Sequence, residues 1–126
     1  MFVKKSLFIC AAILFALYGL CGSAVAAAIA PTDKNVDFYG YSEMLKVGDV
    51  VDAYDPAGTL CGSFTVDTAG RYGIMHVYGD DLTTPGGKGA KPGDPITFSV
   101  NGSRVVPKNP AAAVWTSDGD SIQVDF

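Results

Sequence analysis

A single histidine, His76, supplies all the imidazole in 126 residues, and the three cysteines form no CxxC pair, so multi-histidine metal centres and thiolate zinc ribbons are excluded at the outset. Basic residues are scarce too: nine Lys and Arg face 13 Asp and Glu, and they gather into no patch. That balance argues against nucleic acid and against anionic membrane surfaces as partners. No stretch of the chain carries an amphipathic helical period, and no segment repeats another. Helical bundles and repeat arrays are therefore not expected.

What long hydrophobic sequence there is lies at the beginning. Lys4 and Lys5 precede an unbroken apolar run from Leu7 to Tyr18, and Ala24-Val25-Ala26 follows as a small-residue cleavage pattern. This is the layout of a secretory signal peptide over residues 1–26. Leu20 before Cys21 does not suit lipoprotein processing, which wants a small side chain there. An uncleaved anchor is the rival reading, because no charge occurs from Ser6 to Thr32.

Setting the leader aside changes the protein's character. Its two lysines leave with it, so seven Lys and Arg remain against 13 Asp and Glu, a net charge of −6 where the whole chain has −4. Cys10 and Cys21 leave as well, and Cys61 remains alone without an intrachain disulfide partner. In an oxidising compartment such a thiol is buried, bridged to another chain or reactive. A hundred residues suit one domain with one modest core.

Glycine and proline punctuate that domain, separating short runs of Val, Ile, Phe, Tyr and Thr at intervals of about ten residues. The spacing predicts an all-β fold, a single antiparallel β-sandwich of seven to eight strands over residues 36–126, entered by a flexible tail at 27–35. Expected strands are 36–41, 49–54, 59–66, 71–78, 96–100, 104–106, 113–116 and 121–126. Asp55-Pro56-Ala57-Gly58 and Asn101-Gly102 carry the chemistry of tight turns, and Asp67 to Gly70 and Ser117 to Asp120 are similar punctuation. Phe98 and Trp115 are expected in the core. The connection from Gly79 to Pro95 has no strand pattern, and loops of that length are usually functional or disordered.

A register argument yields one constellation. If both early turns are hairpins, Asp52 faces Cys61 and Cys61 faces His76, so the three form a row across neighbouring strands. A bulge at Gly62 or Gly73, or a chain that changes sheets between strands, breaks the row. With cysteine in the middle, Asp52 does not orient the imidazole, so the order is wrong for a catalytic triad and no catalytic residue is assigned. One ligand of each kind is also too few to assign a metal, and no cofactor is expected. Asp118-Gly119-Asp120 superficially resembles part of a calcium loop but reads better as a turn. The run from Gly86 to Lys91 lacks the Gly-Lys-Ser/Thr of a phosphate loop. Asn101-Gly102-Ser103 matches a glycosylation sequon, and a hairpin explains it better.

Expected contact residues are Tyr54, Tyr72, Tyr78 and His76 on a solvated sheet face, with Asp80, Asp81 and Asp94 at the long loop. Cys61 is the candidate reactive or cross-linking thiol.

The segment from Val47 to Gly62, with Asp67 to Tyr72, resembles the small β-sandwich modules of secreted bacterial proteins, of the carboxypeptidase-regulatory-like and other immunoglobulin-like kinds. Val51, Ala53, Asp55 and Gly58 stand at a V-x-A-x-D-x-x-G strand and turn, and Asp67, Gly70 and Tyr72 at a D-x-x-G-x-Y turn and strand. The resemblance implies a non-catalytic module and carries over no functional residue. The expectation is thus an exported module, periplasmic or extracellular, that binds a protein or carbohydrate ligand, or assembles. No nucleic acid, and no membrane after leader removal, is expected among its partners. Two alternatives stand: a subunit of a filament or homo-oligomer, joined by a donated strand or a Cys61 cross-link, and a cysteine or metal hydrolase using Asp52, Cys61 and His76.

Overall fold

The computed structural model describes residues 29–80 and 88–126. The leader at 1–26 lies outside them. Seven strands form: β1 (Asn35–Tyr41), β2 (Val50–Tyr54), β3 (Leu60–Thr65), β4 (Arg71–Tyr78), β5 (Thr97–Val100), β6 (Ser103–Val105) and β7 (Ser121–Gln123). They make two sheets, one ordered β4-β1-β7 and the other β3-β2-β5-β6. A shared core joins the sheets in a sandwich-like arrangement: Val36, Phe38, Met75 and Val77 from one meet Val51, Ala53 and Phe98 from the other. No helix among the described residues is long and apolar enough to cross a membrane.

The alternation expected for buried strands is plain in β1, where Val36, Phe38 and Gly40 are buried and Asn35, Asp37, Tyr39 and Tyr41 are not. Three details depart from the sequence reading. The expected strand at 113–116 reduces to one bridge, Val114 to Pro95, after a short 3₁₀ turn at Pro110–Ala112. The architecture is not purely antiparallel, because β7 runs parallel to β1, Phe38 standing beside Ile122. Within the expected tail, the described part is tied down. Ile29 N–H donates to Leu60 O at 3.0 Å, and Thr32 Oγ1 donates to Gly79 O at 2.7 Å.

The turns behave as their chemistry predicts. Asn101 and Gly102 both have positive φ, 50° and 84°, so the two-residue hairpin of β5 and β6 matches strand twist. The Asn101 side chain is committed there, accepting from Val50 N–H and donating to Asp49.

Aromatic packing closes the core. Phe38 meets Phe98 edge to face at 5.5 Å, and Tyr72 stacks on Phe126 at 5.1 Å. Tyr72 donates its buried hydroxyl to Val124 O at 2.7 Å, and Trp115 donates Nε1–H to Val77 O at 2.9 Å. Both hydrogen bonds tie the C-terminal part of the chain to β4.

Candidate functional site

The predicted row of Asp52, Cys61 and His76 does not assemble. A bulge in β3 pairs Ala53 with Gly62 and Tyr54 with Leu60, which leaves Cys61 as the extra residue and sets Asp52 opposite Ser63. The bulge turns Cys61 inward, where it is fully buried and its thiol donates to Thr59 O at 3.3 Å. Burial, then the charge of nearby Asp55, pushes this thiol up to about 11. His76 is removed by a second departure: after the Asp67 to Gly70 turn the chain changes sheets, so β4 pairs with β1 rather than with β3.

What His76 meets instead is Asp37. The two stand opposite each other on β4 and β1, and Asp37 Oδ1 accepts a short hydrogen bond from His76 Nδ1. Asn35, two residues along the same face of β1, donates from Nδ2 to the same oxygen at 2.8 Å. Nδ1 is held between Asp37 Oδ1 and Asn35 Nδ2, the latter at 3.0 Å, so Nε2 is the ring nitrogen directed away from the cluster. The imidazole side chain is 54% exposed, which opens that nitrogen to solvent. Tyr78 lies beside it at a ring separation of 6.3 Å.

The outer face of β1 and β4 continues from this cluster as a succession of rows: Asn35 with Tyr78, Asp37 with His76, Tyr39 with the bulged pair Gly73 and Ile74, and Tyr41 with Arg71. Gly73 is required where it stands, because its φ is 106° and a Cβ there would lie 2.6 Å from Tyr39 Cβ. The bulge presents Ile74, 61% exposed, and its end of the face hollows into an open cleft of about 320 Å³ between Tyr39, Tyr41, Arg71 and Ile74. Among the described residues Arg71 forms no ion pair, and its Nη2 meets only Thr68 Oγ1, at 3.5 Å.

The other expected contact residues scatter. Tyr54 is half-buried on the far sheet, in β2. Tyr72, expected on the solvated face, is in the core at 2% exposure, because the bulge at Gly73 lets β4 bury both Tyr72 and Met75. Asp80 starts the long loop, its N–H bonded to Ala90 O at 2.9 Å, and Asp94 caps a turn by accepting from Lys91 N–H at 2.9 Å. Asp81 lies outside the described residues.

Asp118 and Asp120 serve their turn. Asp118 accepts from Asn35 N–H at 2.9 Å; Asp120 accepts from the hydroxyls of Thr116 and Ser117, which hold its carboxyl below the usual range.

The sequence reading missed Asn35, Asp37, Tyr39, Tyr41 and Arg71. The polar alternation of β1 was the available signal for the first four, but nothing local names β4 as their neighbour.

No family model, curated protein or solved structure matches this chain. Its chemistry must therefore be read from the face itself, which combines an oriented imidazole, an amide, a carboxylate already engaged, the half-buried rings of Tyr39 and Tyr78 and the exposed ring of Tyr41. Those are the means of holding a polar ligand against a flat surface.

Proposed function

We propose that this protein is an exported, non-catalytic β-sandwich module, of the carboxypeptidase-regulatory-like or immunoglobulin-like kind, that binds its ligand at the cell envelope or outside the cell. The contact surface is the outer face of β4-β1-β7. The observation that carries the reading is the Asn35, Asp37 and His76 cluster, which leaves one imidazole nitrogen open to solvent beside the half-buried Tyr78. The leader at residues 1–26 supports export. The V-x-A-x-D-x-x-G and D-x-x-G-x-Y patterns at Val51, Ala53, Asp55 and Gly58 and at Asp67, Gly70 and Tyr72 are what supports the module reading.

The alternatives draw less support. A Cys61 cross-link needs an accessible thiol, and Cys61 is fully buried. The hydrolase needs Asp52, Cys61 and His76 together, and they are apart.

Expression of the full chain with its own leader tests the reading, with the mature N-terminus read by mass spectrometry. Cleavage after Ala26 is expected, or alternatively after Ala28, together with envelope binding that falls in a His76→Ala/Tyr78→Ala variant and persists in Tyr54→Ala. Retention of residues 1–26 would refute the cleaved leader, and binding indifferent to His76 and Tyr78 would refute the assigned face.

A further inference from the structure

We infer that the face of β1 and β4 is a binding track for an extended, neutral polysaccharide, an inference that rests on the proposed binding role and names its ligand. The track runs along the strands from Tyr78 past Asp37 and His76 to Tyr39 and then to Tyr41 and Arg71. Seven residues of β1 span about 20 Å at strand rise, which is the reach of a short run of linked sugar rings rather than of one small molecule. Tyr78, Tyr39 and Tyr41 stand along it together with the hydrogen-bonding groups Asn35, His76 and Arg71. Sugar rings present C–H faces and hydroxyl edges, the first suited to stacking on tyrosine and the second to those polar groups.

Charge and geometry select among ligand classes. With a net charge of −6 after leader removal and one unpaired cation on the track, the protein repels polyanions at long range, which disfavours nucleic acid and acidic glycans. An extended peptide is held chiefly by a strand edge, whose free N–H and C=O groups supply its main-chain hydrogen bonds. The track instead crosses the face of a paired strand: β1 lies between β4 and β7, and its backbone groups are engaged on both sides. A neutral sugar chain needs no backbone partner. It also accommodates the openness of the surface, where the 320 Å³ cleft is near the lower limit for a small-molecule pocket and receives one end of the chain.

The test uses the full chain, expressed with its leader and purified, in affinity electrophoresis through gels containing soluble cellulose derivative, glycol chitin, amylose, xylan or polygalacturonate. Retardation by at least one neutral polymer is expected, with little by polygalacturonate. Tyr78→Ala and Tyr39→Ala should each weaken it at least tenfold. Tyr54→Ala, on the other sheet, should not, and unfolding midpoints separate lost contact from lost fold. Binding to isolated envelope provides the second arm. Abolition by periodate, which destroys vicinal diols, supports the inference. Abolition by protease alone, still dependent on His76 and Tyr78, overturns the polysaccharide while leaving the binding face intact. Sedimentation showing a dimer that Ile74→Asp dissolves overturns it in favour of a second copy. Envelope binding that ignores every variant on the face overturns both the inference and the reading beneath it.

Discussion

Replacing Tyr72 by phenylalanine removes one oxygen atom and exposes how β4 is tied to the segment that follows β7. The ring stays, and with it the stack on Phe126 and the tilted contact with Phe98 at 6.4 Å. What disappears is the 2.7 Å hydrogen bond to Val124 O, made at 2% exposure, and the carbonyl left behind is buried where water does not replace the donor. Stranding a buried acceptor costs about 1–3 kcal/mol. For a domain of this size that corresponds to a fall of roughly 5–15 °C in unfolding temperature, with the denaturant m-value unchanged. A second signature separates this from general loosening. Burial, then the charge of Asp125, pushes the Tyr72 hydroxyl far above its ordinary value, while in the unfolded chain it ionises near pH 10. The folded state thus keeps its proton where the unfolded state loses it, so the contribution is full below about pH 10 and declines as pH rises beyond. Tyr72→Phe should lose stability at pH 7 and also flatten the alkaline slope. Chemical denaturation at pH 7 and across pH 9–11 reads both, and a variant within 0.3 kcal/mol of wild type with the slope intact would falsify the argument, since the magnitude expected is about three times that or more.

Other substitutions test other parts of the fold. Gly40→Ala should leave the protein insoluble or unfolded, because the new Cβ would overlap the Val124 carbonyl, and backbone there does not rotate away. Gly70→Ala meets no atom and should cost only the strain of φ +88°, about 1–2 kcal/mol, as calorimetry would show. Cys61 should react with a thiol probe only at the rate of opening, and Cys61→Ala should remove a loss of stability that begins near pH 9, where the unfolded thiol ionises, and continues towards 11. Trp115→Phe should cost about 1–3 kcal/mol by leaving Val77 O unpaired in the core, measured as a shift in urea midpoint.

Much of the fold was legible where the information is local. Val51, Ala53, Val66, Met75 and Val77 face inward as period-two alternation requires, and Asn101-Gly102 makes its hairpin because both residues accept positive φ. The site was not, for two physical reasons. A one-residue bulge at Cys61 reverses the facing of a strand without leaving a mark beyond the glycine beside it. The turn from Asp67 to Gly70 has the same chemistry whether the next strand returns beside its predecessor or crosses to the opposite sheet. Asp37 and His76, 39 residues apart, meet only through that crossing, and pairings at such separation are set by the whole core rather than by either strand's sequence.

The parallel neighbours β1 and β7 carry a consequence for how the molecule comes into being. β1 is central in its sheet, yet the strand on one side of it, β7, is synthesised after the other six described strands. Until β7 arrives, β1 keeps one flank of amide and carbonyl groups unfilled, and Tyr72 lacks both Val124 and Phe126. Nascent chains halted before Ser121 should remain open to protease, whereas those extended past Phe126 should resist it. The closing step then waits on β7, with a folding rate in the slow range of non-local β topologies.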